Sequence, residues 1–508
     1  MIRNAQVIQN YDFSGGINIS VPAHLIGDDE CCANISSFDG TKNCHWDNGV
    51  VMRGGTLKVN ENATGSFLVN GIRVYRDASP SKTTIVAIDD GSATVKIYWL
   101  NGVAFDEIAT GGAEINDGAD IHLAVWKNAL YVASGDKVLQ KVTYAEAWAI
   151  ADIVGLAYKP QFVCQHKDRL WVAGGDMPMG YLECSDYEDD TQWASGDGEA
   201  FNVGLRDGDP IKQLASLYDN LVIYKQDSIW MMKGDNLTNW FQHRNEKEVG
   251  CVASHSVADV GIGHIFLSID NVYFFNGQTV IPIGNKIKPW LDLIPITYRG
   301  NAAATYHNGW YRLAFTSATY NNMELIFDVH LFQQTGKMTW WLNTGRNISE
   351  YAKYDGPGDD GTLYMCDSHT GFLREIDEGT QDDNVSYEME FYSKHYSMGD
   401  PNLDKAYDRL KVDFSDYVES FYMTLIKGLG ADLIGTYTFN TGASSNLWGT
   451  GYWGTMIWQA ASMGRSQHEL AIPAKFDGPT LAFKLRHPGN KTGVKFYGIS
   501  LAWAPKVF

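Results

Sequence analysis

Proline is scarce in this sequence, 14 of 508 residues, and no apolar run reaches the roughly 18 residues a membrane-spanning helix needs. Basic residues are also few. Lys+Arg is 40 against Asp+Glu 60, a formal net charge of -20. Proteins whose main task is gripping nucleic acid cluster cations against phosphates, and this balance argues against that class. It leaves room for a protein that lets DNA pass, because a negative wall repels phosphates. The seven cysteines (Cys31, Cys32, Cys44, Cys164, Cys184, Cys251, Cys366) are odd in number and scattered, which suits reduced thiols better than a disulfide framework. Met1 to Gln6 has neither the basic nor the apolar region of a secretory signal, so a reducing compartment is expected. Helical patterning is confined to 144–153 and 286–294, both read as connectors. Catalytic signatures are missing as well: there is no Walker loop, no dinucleotide fingerprint after a strand, no His-Glu-x-x-His and no Gly-x-Ser-x-Gly.

What the chain does have is glycine (51), aromatic residues (13%) and enough apolar residues (44%) to bury a core, a mixture that favours strands and turns. At this length it must be several domains or a repeat. A short pattern recurs, a polar turn followed directly by an aromatic or β-branched strand: Lys127-Asn128-Ala129-Leu130-Tyr131-Val132, Lys167-Asp168-Arg169-Leu170-Trp171-Val172 and Tyr218-Asp219-Asn220-Leu221-Val222-Ile223. With Ile85, Leu130, Leu170, Leu221, Ile265, Trp310 and Leu363 as anchors, the steps are 45, 40, 51, 44, 45 and 53 residues. A period of about 40–50 residues is that of propeller blades. Radial packing of small sheets hides faces that a lone sheet would leave exposed. The expected fold is all-β: a six- or seven-bladed β-propeller over 71–380, with β-sandwiches in series as the alternative.

The ends differ from the middle. Residues 1–70 lack the repeat and read as an extended N-terminal arm and closing strand, to lie on its own body or on a neighbour. Residues 381–508 alternate apolar and polar, as in Tyr387-Glu388-Met389-Glu390-Phe391 and Arg409-Leu410-Lys411-Val412-Asp413-Phe414, and suit a jelly-roll-like β-sandwich. The glycine-flanked Trp448 and Trp453 read as a contact loop or as packed sandwich residues.

Two clusters could carry chemistry. Cys31, Cys32, Cys44 and His45 supply zinc-type ligands, but adjacent cysteines lack finger spacing, and buried thiols are the plainer reading. Asp186-Tyr187-Glu188-Asp189-Asp190 could ligate calcium, serve a hydrolase, which needs two facing carboxylates, or form a solvated acidic turn, the plainer reading. The thirteen histidines follow no ligand or triad pattern. No cofactor, metal or catalytic residue is expected.

The arm segment Phe13-Ser14-Gly15-Gly16-Ile17-Asn18, the acidic turn Ile26-Gly27-Asp28-Asp29-Glu30 and the later Arg53-Gly54-Gly55 resemble the start of tail-nozzle and head-completion hub propeller proteins of short-tailed phages. Asp168-Arg169-Leu170-Trp171-Val172-Ala173-Gly174 and Val272-Tyr273-Phe274-Phe275-Asn276-Gly277 are similar to their blade strands, and Gly399-Asp400-Pro401 to their turn into the C-terminal domain. The aromatic loop near Trp448 departs from them. The resemblance implies a non-enzymatic virion protein, assembled in the host cytoplasm into a ring, commonly a hexamer, at the DNA exit beneath the portal. Its partners would be copies of itself, portal or adaptor proteins and tail fibres or spikes. Genome DNA would be met only in passing, and no membrane insertion is implied. Phe13, Gly15, Gly16, Asn18, Trp448 and Trp453 are the candidate interface residues. The rival expectations are a propeller-type glycan hydrolase or depolymerase of the tail, and a glycan- or protein-binding module using the tryptophan loop.

Overall fold

In a computed structural model the described residues are 5–506, apart from 63–68, 77–82, 91–93, 109–114, 117–119, 194–197, 237, 317–320, 355–360, 416–419, 429–431, 441–464, 473–476 and 490–494. They form an all-β arrangement of many small antiparallel sheets. Between Val69 and Ile376 seven such sheets follow one another in chain order. Their first strands are Val69–Arg76, His122–Trp126, Phe162–His166, Ile211–Leu217, Ala258–Asp259, Ala303–His307 and Ile348–Tyr354. Their second strands are Thr83–Asp90, Ala129–Ala133, Arg169–Ala173, Asn220–Lys225, His264–Leu267, Trp310–Phe315 and Thr362–Asp367, and each contains one of the seven sequence anchors. In the seventh sheet the fourth strand comes from the other end of the chain: Thr56–Lys58 pairs antiparallel with Leu373–Ile376.

The second strands stand out in the sequence because they are buried on both faces. In Ala129–Ala133, Leu130 and Val132 pack toward the first sheet, while Ala129, Tyr131 and Ala133 pack toward the third. In Arg169–Ala173, Leu170 and Val172 face the second sheet and Trp171 and Ala173 the fourth. Both faces must therefore be apolar, and successive side chains point to opposite sides. The turns before these strands are also locally encoded. Lys127 and Asn128 (φ 45° and 62°) and Lys167 and Asp168 (φ 50° and 54°) make the two-residue left-handed reversals that match strand twist. An apolar cluster fills the space between each neighbouring pair of sheets, and one joins Ile72 of the first sheet to Ala352, Cys366 and Leu373 of the seventh.

The helical expectation for 144–153 is corrected. Gln140–Ala145 and Ala147–Asp152 form an antiparallel pair reversing at Glu146, whose φ is 63°. Cross-strand contact between Tyr144 and Trp148, whose rings lie 5.1 Å apart, supports the hairpin. The segment near 286–294 does hold a short helix, Lys288–Leu293, with proline in its first turn. Among the described residues no helix is long and apolar enough to cross a membrane.

Two further sheets combine both ends of the chain. One runs Cys44–Trp46, Val50–Met52, Lys495–Pro505, Lys405–Ser415, Arg465–Ala471, with Gln6–Asn10 also on Lys495–Pro505. The other runs Gly16–Ile17, Glu30–Cys32, Met389–Ser393, Leu481–His487, Ser420–Lys427, Asp432–Asn440. The N-terminal segment is thus woven into its own chain. Phe13 is fully buried, with its ring 5.0 Å from Phe391 and 5.6 Å from Phe496. This core is continuous with Trp340 and Trp341 of the sixth sheet.

Candidate functional site

The first strands of the sheets converge on a cavity of about 440 Å³, lined by residues of the first, second, fourth, fifth, sixth and seventh sheets and the turns before them. At its wall His255, from the turn Ser254–Ser256 ahead of the fifth sheet, meets Glu350 from the first strand of the seventh, and also the exposed Asp120 just ahead of the second. His255 lies between the two carboxylates: Nε2 is 2.7 Å from Asp120 Oδ1, and Nδ1 is 2.8 Å from Glu350 Oε2. His122 Nε2 approaches the other Asp120 oxygen at 3.4 Å. The two imidazoles stack with centroids 4.3 Å apart and planes 18° from parallel. Phe162 meets the His122 ring edge-on at 4.8 Å, and the Gln161 side chain donates to the Asp120 carbonyl at 2.6 Å. Gln213 reaches Ser254 O at 3.1 Å and His122 Nδ1 at 3.4 Å.

The electrostatics follow from this arrangement. Burial opposes a charged His255, but Glu350 and Asp120 outweigh it and hold its pKa well above the usual value. Burial would raise the Asp120 carboxyl, yet His122 and His255 hold it far below the ordinary range. Burial and the neighbouring His255 charge push His122 down, toward the neutral ring. The resulting chain of charges runs from the second sheet through the fifth to the seventh. The described hydrogen bonds of His255 go to carboxylates, not to a hydroxyl or thiol that could act as a nucleophile.

The sequence's own candidates lie elsewhere. Gly15 and Gly16 are buried against the chain itself: a Cβ on Gly15 would stand 2.8 Å from Asp29 O, and one on Gly16 2.7 Å from Trp340 O. Asn18 donates to Glu30 at 2.8 Å. Phe13, Gly15 and Gly16 are buried within their own chain. Trp448 and Trp453 lie outside the described residues. In the acidic turn Asp190 accepts from Tyr131 Oη at 2.7 Å and from Lys141 Nζ at 2.5 Å, while Asp189 caps Thr191. Asp190 thus ties the third sheet to the second. Cys31, Cys32 and Cys44 are buried, and burial pushes each thiol's pKa up, that of Cys32 to about 12.

Reading the sequence alone missed the Asp120, His122, His255 and Glu350 group. The one local trace is Asp120-Ile121-His122, whose alternate residues fall on one face of an extended segment. His255 and Glu350 carry no comparable mark.

No protein-family model matches the sequence, and no curated protein matches it. Solved structures similar to the chain include BBS1N in complex with ARL6DN, at 10% identity and a TM-score of 0.40, covering 64% of this chain and 98% of that one. The computationally designed Ika8 protein is similar at 13% identity and a TM-score of 0.37, covering 66% and 96%. The extracellular domain of the putative hybrid two component system BT4673 from B. thetaiotaomicron is similar at 13% identity and a TM-score of 0.42, covering 78% of this chain and 56% of that one.

Proposed function

We propose that the seven sheets close into a seven-bladed β-propeller, that the two mixed sheets form a β-sandwich, and that the protein is a non-enzymatic, ring-forming structural component of a phage tail. Closure is supported by the apolar cluster between the seventh and first sheets and by the N-terminal strand that completes the seventh. The structural reading rests chiefly on one observation: at the cavity where the first strands converge the two carboxylates are tied together through one imidazole, Asp120 to His255 to Glu350, and do not stand free. A propeller whose axis is pinned in this way works as a rigid block. Genome DNA would then pass between copies in a ring, along surfaces whose net negative charge keeps phosphates from adhering. The phage-tail assignment itself rests on the resemblance of the arm and blade motifs.

The test is light scattering and electron microscopy of the purified protein, alone and mixed with portal and adaptor proteins. Rings, and the chain's presence in purified virions, are expected. A protein that stays monomeric with every partner and is missing from virions would refute the assignment. Cleavage of host polysaccharide that is lost in Asp186→Ala or Asp189→Ala would replace it with the hydrolase reading.

A further inference from the structure

The geometry points to a divalent first-row metal site in the cavity, with His122, His255 and Asp120 as ligands, Glu350 as the carboxylate that orients His255, and zinc as the foremost ion. One nitrogen from each histidine and a carboxylate oxygen all lie within 4.8 Å of one another, so a single ion can be shared among them. Both Nε2 atoms are directed at the same Asp120 carboxylate, one at each oxygen. Two imidazoles and one carboxylate form a donor set that suits zinc and its neighbours.

The surroundings supply what such a site needs beyond its ligands. A metal-bound histidine commonly donates its other N–H to a carboxylate, which fixes its tautomer and raises its basicity. Glu350 stands at that position, 2.8 Å from His255 Nδ1. The ion would take the place of the proton on His255 Nε2, leaving the Nδ1–H donating to Glu350. His122 would bind through Nε2, and its Nδ1 faces the Gln213 side-chain amide at 3.4 Å. The backbone carbonyl of Asp120 is held by Gln161, and the His122 ring is packed on Phe162, so two ligands are positioned before any ion arrives. Coordination positions not filled by protein would open on the cavity and take water. The ion would join the second sheet to the fifth, and this inference does not depend on the phage-tail reading.

The test uses the full-length protein, stripped with chelator and titrated with zinc chloride or cobalt chloride. Calorimetry is expected to find one equivalent bound per chain, with a rise in melting temperature and cobalt absorption bands of a site with nitrogen ligands. His122→Ala and Asp120→Asn should abolish that equivalent, and His330→Ala, on an exposed helix, should leave it intact. Glu350→Gln keeps all three ligands and should weaken affinity about 10–100-fold. Circular dichroism shows which variants stay folded. No stoichiometric binding by the wild-type protein, or an equivalent that persists in folded His122→Ala and Asp120→Asn, would overturn the site and leave a protonated ion-pair cluster in its place.

Discussion

Arg53 and Asp382 meet in a two-pronged ion pair, Nη1 lying 2.9 Å from Oδ1 and Nη2 2.5 Å from Oδ2. Arg53 also stacks on Tyr387, its guanidinium carbon 3.6 Å from the ring centroid, and donates from Nε to Asn43 Oδ1 at 3.0 Å. The pair stands just before Thr56–Lys58, so it holds the N-terminal strand against the seventh sheet. Arg53 is 2% exposed, and breaking a buried pair strands a charge. Asp382→Ala should cost about 3–5 kcal/mol. Urea unfolding read by tryptophan fluorescence checks this, and a change below about 1 kcal/mol would show that the pair behaves as a surface contact.

Glu324 predicts how stability depends on pH. It is 1% exposed and receives Arg312 Nη1 at 3.3 Å, Tyr351 Oη at 2.9 Å and Asn343 Nδ2 at 2.8 Å, with Arg346 at 3.5 Å. Burial would raise its carboxyl, but Arg312 and Arg346 prevail and lower it. A carboxylate with a depressed folded pKa contributes stability above its unfolded value, about 4.3, and loses it as pH falls through the folded value. Melting temperature should therefore drop as pH is lowered below about 4. Glu324→Gln should be less stable at pH 7 yet show a shallower acid decline. An equally steep decline in the variant would assign the acid limb to other groups.

Gly16 tests the seating of the N-terminal segment. Its φ is 67°, and an added Cβ would fall 2.7 Å from the Trp340 carbonyl and 2.9 Å from Thr339 Cγ2. Gly16→Ala combines left-handed backbone cost with a backbone clash, about 1–3 kcal/mol in all. Gly102 has nearly the same φ, 65°, but open space around it, so Gly102→Ala should cost less. Equal melting shifts for the two would remove the packing part of the argument.

The double-sided burial of the second strands makes Leu170 a sharp probe. It is 0% exposed between the second and third sheets, whereas Leu205 is 72% exposed. Leu170→Ala should cost about 2–5 kcal/mol, and Leu205→Ala should stay within about 0.5 kcal/mol. Denaturant midpoints of the two variants decide it.

Much of the repeated architecture was legible because its cause is local. A strand covered on both faces must be apolar along its covered length, as Ala129–Ala133 and residues 170–173 are, and a two-residue reversal needs residues such as Asn128 and Asp168 that tolerate positive φ. The same local logic misread 144–153. A helical pattern was expected there, and the pairing of Tyr144 with Trp148 across a hairpin decided otherwise.

Residue order alone settled the strand content, the spacing of the seven anchors and the acidic balance, since each depends on neighbours along the chain or on simple counting. Only the folded chain brought Thr56–Lys58 to Leu373–Ile376, buried Phe13 beside Phe391 and Phe496, and set His255 between Asp120 and Glu350. These partners lie far apart in sequence, and nothing in a local pattern records which distant edge or charge a residue will meet. That is decided when the sheets pack and the loops between them close.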